Sequence, residues 1–134
     1  MTFKYTVKVK DLKSVIRFEQ LTNQKIPEPL LDILVKNNYG YPEKKTFNGD
    51  GYVFSMKCLL SLNEDDDENL FDFYKSSREI SEELGFDFIP FAMDDYGNLI
   101  CFIPDTYLVI FIDEETLDVY NTKLSLEEFF NSLT

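Results

Sequence analysis

Residues Phe86–Asp113 read FDFIPFAMDDYGNLICFIPDTYLVIFID. Three apolar runs of strand length lie here: Phe86–Met93, Leu99–Ile103 and Tyr107–Ile112. Asp94-Asp95-Tyr96-Gly97-Asn98 separates the first two and Pro104-Asp105-Thr106 the second two. Short runs rich in Phe, Ile, Val and Tyr, bounded by Asp, Gly, Asn and Pro, read as strands joined by tight turns. Gly97 supplies the positive φ that such a turn often requires. The stretch therefore predicts a three-stranded antiparallel meander on which the rest of the chain packs. Successive hairpin turns lie at opposite ends of a meander. The spacing thus predicts that Asp113-Glu114-Glu115 returns to the end occupied by Asp94 and Asp95.

Working outward, Thr2–Lys10 alternates: Phe3, Tyr5, Val7 and Val9 against Lys4, Thr6, Lys8 and Lys10. That pattern predicts a half-buried edge strand with a basic outer face. A short helix is expected over Asp11–Leu21, capped near Asp11 or Ser14, and a clearer one within Ile26–Pro42. In the second, Pro27 and Pro29 suit a first turn and Asn37, Asn38 and Gly40 supply the stop. Tyr52–Leu62 reads as one or two strands, and Asn63–Glu68 (NEDDDE) as an exposed loop. Asn63 or Asp67 is expected to cap a helix over Asn69–Leu84. Leu117–Tyr120 reads as a strand and Ser125–Leu133 as a final helix, with a capping-box spacing from Ser125 to Glu128. Local strand pairing with interspersed helices predicts a single α+β domain over residues 1–134, its helices covering one face of a mainly antiparallel sheet.

The chain carries 25 acidic and 13 basic residues, a formal charge of −12. Residues 1–17 hold five basic residues and one acid, so the acidity belongs to the rest of the chain. A field of that sign repels nucleic acid and anionic membranes and speeds encounter with a basic partner. Cys58 and Cys101 each sit inside an apolar run, as reduced core thiols of a cytoplasmic protein do. No segment has the continuous apolar core of a signal peptide or the length of a membrane span.

The 134 residues include no histidine. That removes the commonest general base, the Ser-His and Cys-His pairs and most zinc sites. No glycine-rich phosphate cradle is present. Neither NEDDDE nor Asp94–Asn98 has the alternating ligand spacing of a calcium loop, so no cofactor or metal is expected. Nothing places two carboxylates across a cleft, and a carboxylate-dependent metal enzyme is the least supported reading. The acids read better as a docking surface for a cationic protein. The candidate contacts are Glu64, Asp65, Asp66 and Asp67, then Asp94, Asp95 and Tyr96, then Asp113, Glu114 and Glu115. Tyr39 and Tyr41, near turns, are further candidate anchors. Each acidic run also has a plain reading as a solvated turn.

Several short motifs occur in order: Ile26-Pro27-Glu28-Pro29-Leu30-Leu31, Asn37-Asn38-Tyr39-Gly40-Tyr41-Pro42, Ile89-Pro90-Phe91-Ala92, Tyr96-Gly97-Asn98 with Leu99–Phe102, Asp113-Glu114-Glu115, and Ser125–Phe130. This order resembles the SUKH superfamily, the Smi/Knr-type cell-wall-synthesis-regulator and immunity-protein domain, from about Lys13 to the C-terminus. The chain departs from it at Asn38-Tyr39-Gly40, where many members have Asn-Gly-Gly. It also departs at Ile112-Asp113-Glu114-Glu115, where many have Trp-Asp-His-Glu. The strand before Asp11 has no counterpart in the resemblance and stands as an N-terminal extension, residues 1–10. The resemblance implies an α+β fold with a strongly bent central sheet and a non-enzymatic binding role. Bacterial members are regarded as immunity proteins that neutralise polymorphic toxins, and fungal relatives regulate cell-wall synthesis through protein partners. It implies a protein partner, a basic toxin domain first and a regulatory or scaffolding partner second.

Overall fold

A computed structural model describes all of residues 1–134. In chain order the elements are β1 (Phe3–Lys4), α1 (Lys13–Thr22), α2 (Glu28–Lys36), β2 (Tyr41–Pro42), β3 (Thr46–Asn48), β4 (Val53–Ser55), β5 (Cys58–Leu59), α3 (Leu70–Ser76), α4 (Arg78–Leu84), β6 (Ile89–Met93), β7 (Leu99–Phe102), β8 (Leu108–Ile112), β9 (Val119–Ser125) and α5 (Leu126–Ser132). The expected meander forms the middle of a five-stranded antiparallel sheet in the order β5-β6-β7-β8-β9. Two small antiparallel pairs complete the strands: β1-β2, which brings together distant stretches of chain, and the hairpin β3-β4. The fold is a single α+β domain.

The sheet is curved by two irregularities. The β6-β7 register slips between Pro90 and Ala92. The β8-β9 register slips between Leu108 and Ile110. Bulges of this kind bend a strand and increase its twist. They also explain how Pro90, which has no amide to donate, is tolerated inside a sheet.

Both faces of the sheet are buried, which corrects the expectation of helices on one face. Ile100, Phe102, Val109 and Phe111 join the main core with residues of α1, α2, α3 and α5. Their strand neighbours Leu99, Cys101, Ile110 and Ile112 form a second cluster with Phe88, covered by Ile80 and Leu84 of α4. Strand side chains alternate between faces, so a sheet covered twice produces unbroken apolar runs. That is why Leu99–Phe102 and Leu108–Ile112 lack polar alternation. Cys58 and Cys101 are free and buried in different clusters. Burial pushes the Cys58 thiol up to about 12 and that of Cys101 well above its ordinary value, so neither is a ready thiolate.

Other local expectations are corrected. Thr2–Lys10 is not a strand throughout: only Phe3–Lys4 pairs, with Tyr41–Pro42. Tyr5 adopts φ 58° and is 78% exposed, which ends the alternation. Beyond it, one backbone bond remains, from the Val7 amide to the Asn38 carbonyl at 2.8 Å, and side-chain amides supply the rest. Asn38 Nδ2 donates to the Val7 carbonyl at 3.1 Å. Asn63 Nδ2 donates to the Lys8 carbonyl, and Asn63 Oδ1 accepts from the Lys10 amide, both at 2.9 Å. The expected helix over Asn69–Leu84 is two helices meeting at Ser77. There Ser77 Oγ and Arg78 Nε both donate to the Tyr74 carbonyl. Its cap is Asn69, which accepts the Asp72 amide at 2.8 Å, and not Asn63 or Asp67. The capping box of Ser125 and Glu128 is present at the start of α5. Asp11 Oδ1 takes the Lys13 amide at the start of α1, whereas the buried Ser14 hydroxyl has no partner.

A candidate docking cleft

The hairpin β3-β4 lies over the sheet through aromatic contacts. Phe54 stacks on Phe111 with ring centroids 4.4 Å apart, and Tyr52 meets Tyr120 at 4.8 Å. Phe47 and Phe129 close the same cluster from β3 and α5. Between β4 and the turn joining β6 to β7 this leaves an open cleft of about 440 Å³. Tyr52, Val53, Phe54, Phe111 and Tyr120 line it with Asp94, Asp95, Tyr96 and Asp113.

The turn that supplies the acids is built by Asp94, which is only 6% exposed. Its Oδ1 accepts the Tyr96 amide at 2.9 Å and the Asn98 amide at 2.8 Å, while Oδ2 accepts Asn98 Nδ2 at 3.0 Å. Gly97 supplies the positive φ, at 84°. This geometry projects Tyr96 into solvent, 90% exposed. At the neighbouring β8-β9 turn, Asp113 Oδ1 accepts the Glu115 and Thr116 amides. Asn98 Oδ1 accepts the Glu114 amide at 3.0 Å, so the two turns are joined. Partial desolvation, then the charge of Asp94, holds the Glu114 carboxyl above its ordinary range.

The structure therefore divides the candidate acids into two groups. Asp94, Asp95 and Asp113 line one cleft, with Glu114 behind them, and no lysine or arginine lines it. None of those three aspartates belongs to an ion pair; neither do Glu114 and Glu115. The NEDDDE run is elsewhere, because β5 leads away from Met93 along β6 toward its other end. Its acids are largely used internally. Lys10 pairs with Asp65, Arg17 with Glu64 at 3.3 Å, and Lys57 with Glu68 at 3.3 Å. Asp66 accepts from Ser61 Oγ at 2.6 Å. Asp67 is exposed and makes no ion pair. The loop is thus less exposed than its composition predicts: Asn63 is buried and Glu68 half-buried. Tyr39 is also committed, donating to Glu68 Oε1 at 2.8 Å, and Tyr41 is half-buried against Tyr5.

Sequence reasoning found the acidic rim and missed the cleft floor. Tyr52, Phe54, Phe111 and Tyr120 carry only a strand-core signal in sequence, and their meeting depends on the placement of the β3-β4 hairpin. No group of three or more His, Cys, Asp or Glu side chains is arranged to hold a metal ion. No helix is long and apolar enough to cross a membrane.

Residues 11–132 match the model of the SMI1/KNR4 family (SUKH-1). The chain belongs to that family. The match begins at Asp11 and ends at Ser132. No curated protein and no solved structure matches the chain. SUKH domains are in general non-catalytic immunity or regulator domains, and membership fits a binding module that acts through protein contacts.

Proposed function

We propose that this SUKH protein is a non-enzymatic, cytoplasmic immunity-type module that neutralises a cognate toxin domain by covering its active surface. The observation that carries the reading is the cleft: an aromatic floor, an exposed Tyr96, and three aspartates on its wall with no basic residue among them. A large aromatic surface gives contact area, and unpaired acidic charge gives orientation and a fast encounter with a basic surface. The chain has no histidine to pair with a serine or cysteine, and burial keeps both thiols protonated, which supports binding over catalysis.

The test is titration of the toxin domain encoded beside this protein. The expected result is a 1:1 complex whose affinity falls with added salt and in which toxin activity is lost. A toxin that stays fully active with the protein in excess overturns the reading for that pair. The family's regulator members support a second reading, a scaffold with several weak partners. Recovery of many housekeeping proteins and no toxin in an affinity capture favours it.

A further inference from the structure

The hairpin β3-β4 has two outer edges, and they differ. The Gly49 amide donates to the Tyr52 carbonyl and the Met56 amide to the Lys45 carbonyl. With Phe47 opposite Phe54, the bonded positions of β4 are therefore Tyr52, Phe54 and Met56. Antiparallel pairs alternate between bonded and non-bonded positions, so the main-chain groups of Val53 and Ser55 point away from β3. The same parity turns Thr46 outward on β3, and there the edge is occupied: Thr46 and Thr134 exchange both amide-carbonyl bonds, at 3.1 and 3.0 Å. The β4 edge has no such partner. Neither the amide nor the carbonyl of Val53 or Ser55 bonds to anything beyond the hairpin. Both residues line the cleft, and Val53 is 63% exposed.

Open edges in soluble proteins are usually guarded by charge, proline or a bulge. The far edge of the main sheet follows that rule, since β9 carries Lys123 at positive φ within its irregular stretch. Strand β4 reads Val-Phe-Ser and, apart from its short length, has none of these devices. An open edge beside an aromatic floor, facing aspartates with no counter-charge, fits an extended polypeptide carrying a cationic side chain. Main-chain bonds would supply affinity and the cleft would select the side chain, which is the logic of strand addition. The flat guanidinium suits both the aromatic faces and the carboxylates.

We propose that an extended segment of a protein partner adds as a strand to the free edge of β4 and lays an arginine side chain in the cleft rimmed by Asp94, Asp95 and Asp113. The proposal deepens the binding reading above and rests on it.

The test is amide-resolved NMR titration of the full chain with a capped Thr-Val-Arg-Val-Thr peptide. Two control peptides carry Glu in place of Arg, or methyl groups on every amide nitrogen. The expected result is movement of the Val53 and Ser55 amide signals with slowed hydrogen exchange, affinity lower by about tenfold or more for the Glu peptide, and no effect from the methylated one. Val53→Pro removes an outward amide without touching a β3 bond, and should abolish the response. Unmoved Val53 and Ser55 signals overturn the proposal, as does equal movement with the methylated peptide or equal affinity for the Glu peptide. The methylated control decides the question even if Val53→Pro folds poorly. A toxin domain that binds the wild type and Val53→Pro equally removes the edge and leaves the immunity reading standing. A peptide that docks on β4 while the toxin remains active does the reverse.

Discussion

Asn98 Oδ1 accepts the Glu114 amide at 3.0 Å while Asn98 Nδ2 donates to Asp94 Oδ2 at 3.0 Å, so one carboxamide ties the two acidic turns together. Both bonds are made at the rim of the cleft, and each needs a different half of the amide. Asn98→Ala removes both and should cost about 1–2 kcal/mol in urea unfolding. Asn98→Asp keeps the acceptor, loses the donor and adds a like charge beside Asp94. It should cost at least as much at neutral pH and less in acid, where the new carboxyl is protonated. Equal stability of both variants and the wild type would show that the turns are held by other contacts.

Glu114, joined to the cleft wall through Asn98 and the charge of Asp94, makes the fold sensitive to pH. Its carboxyl is raised, first by desolvation and then by Asp94, so the folded chain holds this proton more tightly than the unfolded chain. Glu114's contribution to stability is therefore greatest in acid and falls as pH rises from the unfolded pKa through the folded one. Glu114→Gln should flatten that slope above the ordinary glutamate pKa of about 4. Because the side chain is exposed, the gain at neutral pH should be no more than about 0.5 kcal/mol. A cation entering the cleft would pull the same pKa down. Binding of a basic partner should release a proton in this range, and calorimetry in buffers of different ionisation heat reads that release directly.

The aromatic floor is a packing unit as well as a surface. Phe54 is buried, stacked on Phe111 and in contact with Phe47 and Phe129. Phe54→Ala should cost about 3–5 kcal/mol, the range for deleting a buried aromatic ring. Tyr96→Ala removes a ring that touches almost nothing and should leave the thermal midpoint unchanged while weakening partner binding. Loss of stability in Tyr96→Ala would assign that residue to the fold instead.

How much of this was legible before the structure depends on the range of the determining contacts. The meander was readable because its strands and turns are neighbours in sequence: Asp94–Asn98 closes on itself, and the Ser125–Glu128 box spans three residues. The strand expected over Thr2–Lys10 failed because alternation reports only one periodicity. The amides that hold Val7, Lys8 and Lys10 come from Asn38 and Asn63, and the partners lie from 31 to 55 residues away. The candidate acids were visible as three turns, two of which form the rim. Which acids remain unpaired was not, since it depends on Lys10 and Arg17 reaching Asp65 and Glu64 across about fifty positions. The cleft floor needed the hairpin placed over β8 and β9, which no local pattern encodes.

The N-terminal strap should depend on its amides far more than on its ion pairs. Asn38 is 1% exposed, donates to Val7 and Ser61, and accepts the Leu62 amide at 2.7 Å. Asn38→Ala strands a buried amide and should cost about 2–3 kcal/mol. Arg17 reaches Glu64 and Asp11 in solvent, so Arg17→Ala should cost less than about 1 kcal/mol and lose even that in high salt. Chemical denaturation of the two variants at low and high salt checks both the size and the salt dependence. A salt-sensitive loss in Asn38→Ala, or a large loss in Arg17→Ala, would reverse the assignment.

The two groups of acids can be separated by moving the same charge to different places. Asp95 and Asp67 are both exposed and neither is ion-paired, so a lysine at either position changes the net charge equally. Only Asp95 lies on the cleft. Steering depends on where charge sits relative to the docking surface and decays over a Debye length of about 10 Å at 0.1 M salt. Asp95→Lys should therefore slow association with a basic toxin domain by about tenfold or more at low salt, with the difference shrinking as salt is added. Asp67→Lys should change the rate by less than about twofold. Stopped-flow association of the three proteins at two ionic strengths makes the comparison. Equal slowing by both variants would reduce the acidic cleft to a share of the overall charge. Slowing by Asp67→Lys alone would move the docking surface to the NEDDDE end of the sheet.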